Sequence, residues 1–173
     1  MNRNELKKII RDVPDFPKEG IIFKDITTLL KDADALKSSI NLLIEECKKY
    51  SVDKVVGIES RGFILGVPIA LELNVGFIPI RKPGKLPAET LQITYDLEYG
   101  KDTIEIHRDA IKEGENVIII DDLLATGGTA NAAALLVEKC GAKVPLIAFL
   151  IELSFLNGRE KISEKNIFSL INF

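Results

Sequence analysis

A chain of 173 residues, 46% hydrophobic and 28% charged, is long enough to bury one proper core and has the balance of an ordinary globular domain. Its net charge of −3 argues against a broad surface for nucleic acid or anionic lipid, although a local cluster of Lys and Arg could still hold a small anion. No apolar run is long enough to span a bilayer, the polar start MNRNELKKIIR is unlike a secretory leader, and Cys47 and Cys140 lack metal-ligand spacing; a cytoplasmic chain with reduced structural thiols is the expectation.

In chain order, residues 13–20 (VPDFPKEG) carry two prolines and a glycine and read as irregular. A helix is expected from about Asp34, where Leu36, Ile40, Leu43, Ile44 and Cys47 recur at three- and four-residue steps. Residues 54–58 read as a short buried strand, 61–71 as a turn running into a helix, and 76–80 as a second strand. Residues 81–103 are rich in Pro, Gly, Tyr and charge, and read as a long irregular stretch of the kind that serves as a lid or binding loop. A strand and turn at 104–114, a strand at 116–120, a helix at 129–139 stopped by Gly141, a strand at 144–151, a short helix near 158–162 and a strand at 167–171 complete the chain. Apolar strands alternating with helices predict an α/β fold with a mostly parallel sheet covered on both faces, and place any ligand at the carboxyl ends of the strands.

The most informative stretch is VIIIDDLLATGGT, residues 117–129. Four buried-type residues lead to Asp121 and Asp122. A turn of small residues follows, Ala125, Thr126, Gly127, Gly128 and Thr129, and then a helix. Such a turn lets consecutive backbone N–H groups converge beside the positive end of the helix dipole, an anion site suited to a phosphomonoester. By itself, a GGT turn with Thr129 as N-cap reads equally well as a tight strand-to-helix connection. Two carboxylates beside a phosphate site would repel it unless each had other work, and the diol of a ribose supplies that work. Neither a Walker A loop nor a GxGxxG is present.

This strand, acid pair and TGGT loop resemble the signature of type I phosphoribosyltransferases. Four further segments resemble the adenine phosphoribosyltransferase family: GIIFKDIT (20–27), IESRGF (58–63), IRKPGKLP (80–87) and LEYGKDTIEIHRD (97–109). The likeness runs from about residue 14 to the end, in the family order. It implies the type I fold as a single domain over residues 1–173, with a small N-terminal hood over about 1–30 and a flexible catalytic loop over 81–103.

The resemblance also implies roles. Ile22 would read adenine with its backbone C=O and N–H, Phe23 would stack on the purine, and Arg61 would reach the base. Lys24 stands where many relatives carry Arg, keeping the charge but losing the bidentate fork. Ser60 and Arg61 would form the pyrophosphate loop, preceded in the family by a cis peptide, here between Glu59 and Ser60. Arg81, Lys82 and Lys85 would meet the pyrophosphate, Lys82 foremost. Asp121 and Asp122 would take the ribose, and Ala125 to Thr129 the 5′-phosphate. Glu98 would act as the acid–base group at the purine N7, with Tyr99 covering the site. His107 reads as structural, since the family does not require it.

The implied reaction joins adenine to phosphoribosyl pyrophosphate, giving AMP and pyrophosphate. It uses Mg²⁺ held mainly by substrate and water, with no protein side chain assigned as a metal ligand. The expected partners are these small molecules and a second copy in a homodimer, with no nucleic acid and no membrane. Alternatives at this point are transfer to another purine base, a nucleotide-sensing regulator on the same fold, and a structural oligomer that has lost activity.

Overall fold

The computed structural model describes residues 1–96 and 100–173. The chain starts with helix α1 (Arg3–Ile9), where Asn2 and Glu5 form a reciprocal capping box and Leu6 is buried. The sequence reading had no helix here, because seven mostly polar residues carry too short a periodic signal. Strands β1 (Arg11–Pro14) and β2 (Ile22–Asp25) then pair antiparallel. The expected irregular stretch at 13–20 therefore begins in strand: Val13 lies opposite Phe23 and Pro14 opposite Ile22. Proline is tolerated at the end of such an edge pair, where no ladder donor is needed. Arg11 donates twice to Asp25 across the pair. That bond, and the Thr27 contacts, pull the Asp25 carboxyl down to about 2.

Helix α2 (Thr27–Leu30) leads into α3 (Ala33–Cys47), which starts where Asp32 caps the amide of Ala35 at 2.9 Å. Strand β3 (Lys54–Ile58), helix α4 (Arg61–Leu73) and strand β4 (Gly76–Ile80) form the first parallel unit. Strands β5 (Thr90–Asp96) and β6 (Lys101–His107) pair antiparallel, with Thr90 opposite His107 and Asp96 opposite Lys101. This corrects the expectation of irregular structure at residues 90–96 and 101–103. Leu91, Ile93 and Tyr95 alternate with Gln92, Thr94 and Asp96 and turn one face to the core, a period-two signal that the surrounding Pro, Gly and charge obscured.

Strand β7 (Val117–Leu124), helix α5 (Gly128–Lys139), strand β8 (Ile147–Glu152), two single 3₁₀ turns at 154–156 and 158–162, and strand β9 (Ile167–Asn172) finish the chain. The main sheet is wholly parallel in the order β4-β3-β7-β8-β9. From β3 the chain runs outward to β4, then returns to β7 on the other side. β3 and β7 therefore flank the point where strand order reverses. In β7, Ile118 and Ile120 join one core cluster with Leu65 and Ile69 of α4, while Val117 and Ile119 join a second with Leu136 and Val137 of α5. Both faces are covered, as a parallel sheet requires.

Candidate active site

A cavity of about 340 Å³ opens at the carboxyl ends of β3 and β7, at the crevice where open α/β sheets hold ligands. It brings together Ser60 and Arg61 at the start of α4, Arg81 and Lys82 after β4, Asp121 and Asp122 on β7, and the loop from Ala125 to Thr129. Sequence reasoning placed all of these in the site. Ile22, Phe23 and Lys85 are not part of its lining. Ile22 and Phe23 sit on β2, with Ile22 55% exposed and the Phe23 ring edge-on to Phe16 at 5.2 Å. The Lys85 carbonyl accepts from Arg81 Nη1 at 3.2 Å. Glu98 and Tyr99 lie outside the described residues.

The loop is built by backbone. Gly127 is the residue that caps α5, in the left-handed region at φ +81°, and no side chain assists it. Thr129 is therefore not the N-cap: its hydroxyl lies 3.0 Å from the Tyr95 hydroxyl instead. The first helical bond runs from Asn131 N–H to the Gly127 C=O at 2.9 Å. The amides of Gly128, Thr129 and Ala130 thus precede the helical ladder at the positive end of the dipole, where an anion is welcome.

Strand β7 carries the acid pair past its expected end, because it continues to Leu124 beside β8. Asp122 has the parity of Ile118 and Ile120 and is buried on the α4 side, where Arg61 Nε reaches its Oδ2 at 2.5 Å. Asp121 accepts the Asp122 amide at 2.9 Å. Withdrawal from water, and then the charge of Asp122, push the Asp121 carboxyl well above the usual carboxylate range.

Three residues that sequence reasoning missed organise this site. Glu59 accepts Arg81 Nε and Nη2, at 3.2 and 2.9 Å, and the Lys82 amide at 2.9 Å; the Arg81 bond leads in holding its carboxyl below the ordinary value. Its position beside Ser60 was the only available hint. The peptide from Glu59 to Ser60 is cis, as the resemblance implied. Tyr95 lines the cavity from β5, and Asp102 of β6 pairs with Lys82. Tyr95 is legible once residues 90–96 are read as an alternating strand, whereas Asp102 needs the β5–β6 pairing, which sets it opposite Tyr95.

The arrangement offers a phosphate nest, a carboxylate pair suited to a diol, and the cations Arg61, Arg81 and Lys82, all lining one cavity. The description "phosphoribosyl transferase domain" belongs to the family model that matches residues 23–172. The adenine phosphoribosyltransferase of Trichodesmium erythraeum is 57% identical over 169 residues, covering 98% of this chain and 99% of its own. The crystal structure of the enzyme of that name from Thermoanaerobacter pseudethanolicus superposes with a TM-score of 0.96 at 55% identity, over 99% of this chain and 100% of that one. The Saccharomyces cerevisiae enzyme, solved with an imino-altritol bisphosphate and adenine, gives 0.91 at 43% identity over 98% of each chain. A whole-length likeness of this kind, with the phosphate loop, acid pair and cations in one crevice, means that the chain belongs to the adenine phosphoribosyltransferase family.

Proposed function

We propose that this enzyme transfers the phosphoribosyl group of phosphoribosyl pyrophosphate to adenine, forming AMP and diphosphate in purine salvage. The observation that carries the reading is the joining of Asp121, Asp122 and the Ala125–Thr129 loop with Arg61 and Lys82 in one crevice. The 5′-phosphate seats on the loop amides, the ribose hydroxyls face the acid pair, and the diphosphate lies toward Ser60, Arg61 and Lys82. Adenine N9 displaces the diphosphate at ribose C1, through a transition state of oxocarbenium character. The protein forms no covalent bond; its contribution is position and charge.

Adenine recognition falls to Ile22 and Phe23 of the hood. Pro14 stands opposite Ile22 and has no N–H, so the Ile22 carbonyl receives no ladder bond from that partner and keeps acceptor capacity for a 6-amino group. Ile22 is also largely exposed, which leaves room for a ligand. Glu98 manages the proton at N7, and Tyr99 covers the site; these two roles rest on the resemblance of the LEYG segment.

Mg²⁺ fits this chemistry as a companion of the diphosphate. Among the described residues no three His, Cys, Asp or Glu side chains gather as a metal cage, while the carboxylates of Asp121 and Asp122 offer hard oxygens at the cavity wall. Bound there, the ion would neutralise charge on the leaving diphosphate.

The enzyme acts as a cytoplasmic homodimer. Supporting this, α4 exposes Ile64, Val67 and Leu71 along one helical stripe, and both cysteines are free thiols. A net charge of −3 gives no reason to add nucleic acid or membrane as a partner. The deciding assay is formation of AMP from adenine and phosphoribosyl pyrophosphate, with and without Mg²⁺. No AMP from the pure, folded protein with Mg²⁺ present would overturn the reading, and sedimentation as a monomer would remove the dimer.

A further inference from the structure

The three cations that line the cavity are each matched by a carboxylate of the chain itself. Arg61 meets Asp122, Arg81 meets Glu59, and Lys82 Nζ meets Asp102 Oδ2. The third pair stands apart, because its carboxylate is also linked to the phosphate loop. Asp102 Oδ1 accepts the Thr103 amide at 2.8 Å, and Oδ2 accepts the Tyr95 hydroxyl at 3.1 Å. Tyr95 Oη in turn lies 3.0 Å from Thr129 Oγ1.

A phenol has one proton to give. With that proton directed at Asp102, the Thr129 hydroxyl donates to Tyr95. Four side chains thus form a line from the 5′-phosphate loop to Lys82. Burial pushes the Asp102 carboxyl up, but the hydrogen bonds from Lys82 and the Thr103 amide outweigh it. The group therefore sits below its ordinary value and is an anion at neutral pH.

We propose that Asp102 is a positioning residue that stands in for the diphosphate, holding the Lys82 ammonium in the empty site and retaking it as diphosphate leaves. The inference rests on the assignment of Lys82 to the diphosphate made above. A carboxylate oxygen and a diphosphate oxygen are interchangeable partners for an ammonium, so diphosphate binding exchanges one ion pair for another. The affinity is then the difference between the two. Both side chains are partly exposed, 44% for Lys82 and 26% for Asp102, which keeps the internal pair weak enough to be replaced. Tyr95 and the Thr103 amide keep Asp102 within reach while Lys82 is engaged elsewhere.

The prediction runs against ordinary intuition about removing a side chain beside a site: loss of this carboxylate tightens diphosphate. Magnesium diphosphate and ribose 5-phosphate are titrated separately by calorimetry into the full chain, as wild type, Asp102→Asn, Asp102→Thr, Lys82→Met and Lys82→Met/Asp102→Asn. Asparagine keeps the shape and an acceptor for the Thr103 amide, while Tyr95 can turn its proton to Thr129 and accept from the new amide N–H; threonine is a second neutral residue suited to a strand.

Asp102→Asn and Asp102→Thr are expected to bind diphosphate about three- to tenfold more tightly than wild type. Ribose 5-phosphate affinity should move less. In the Lys82→Met background the Asp102→Asn gain should disappear. Unchanged or weaker diphosphate binding in both single Asp102 variants overturns the inference, as does a gain that survives without Lys82. Failure of the wild type to bind diphosphate at all is a different result and overturns the functional reading itself.

Discussion

A Cβ added to Gly127 would run into the carbonyl oxygen of Gly158, and one added to Gly158 would run into that of Ala125. The 3₁₀ turn that begins at Gly158 therefore lies directly against the back of the phosphate loop. Gly127 also sits at φ +81°, where an L side chain is strained regardless of space. A Cβ on Gly128 would meet nothing nearer than 3.6 Å, an ordinary contact with Asp96 and Tyr95.

Gly127→Ala and Gly158→Ala are accordingly expected to displace the loop, lowering stability by about 1–3 kcal/mol and weakening phosphoribosyl pyrophosphate use at least tenfold. Gly128→Ala should be far milder. Thermal unfolding and the Michaelis constant for phosphoribosyl pyrophosphate check both. A Gly128→Ala loss equal to that of Gly127→Ala would contradict this account of the loop.

Asp121 separates stability from activity. Its raised folded value means that protonation is easier in the folded chain than in the unfolded one. Its contribution to stability is therefore present below the ordinary carboxylate range and fades as pH rises through the raised value. Asp121→Asn should melt higher than wild type near neutral pH when unliganded, with the difference vanishing at about pH 3.5. The same variant should lose about tenfold or more in efficiency with phosphoribosyl pyrophosphate, a charge-assisted bond being worth roughly 1.5–3 kcal/mol. Equal melting at neutral pH would show that Asp121 carries no electrostatic burden in the empty site.

Base choice tests the hood. Hypoxanthine presents an oxo group and a protonated N1 where adenine presents an amino group and a bare N1. Against the Ile22 backbone it sets acceptor on acceptor and donor on donor. Discrimination of roughly 10⁴ or more is expected. Turnover of hypoxanthine within about tenfold of adenine would eliminate the backbone readout. Phe23→Ala should raise the Michaelis constant for adenine more than that for phosphoribosyl pyrophosphate.

Glu98→Gln is expected to lower kcat by about 10²–10⁴-fold with little effect on substrate affinity. Glu105, a nearby acid, is unsuitable as a neutral comparison. It is 2% exposed and its side chain accepts from the Gly84 and Leu86 amides, the Thr90 hydroxyl and the Gln92 amide. Glu105→Gln should cost about 1–3 kcal/mol of stability, because the amide brings donors where acceptors are needed. Exposed Asp109 is the better control. A fall in kcat for Asp109→Asn matching that for Glu98→Gln would remove the catalytic assignment.

The parts of this molecule that local chemistry dictates were legible in the linear chain. Apolar runs such as Val117–Ile120 bury on both faces only in a parallel sheet, so the α/β class and the ligand edge followed from composition and order. The acid pair, the TGGT turn and the Ser60-Arg61 loop are contiguous in sequence, and each was read where the structure has it. Short elements escaped: α1 and the β1–β2 pair are too brief for periodicity to rise above their polar and proline neighbours, and β5 hides its alternation among turn-forming residues.

What only the tertiary structure decided is which charges meet. Arg61 and Asp122 are 61 residues apart, Arg81 and Glu59 are 22, and Lys82 and Asp102 are 20. No spacing rule pairs them, because each meeting depends on which strand lies beside which. β3 and β7 become neighbours by parallel pairing across α4, β4 and the β5–β6 hairpin. That adjacency turns separate basic and acidic segments into one cavity, with a carboxylate already set against each cation in its wall.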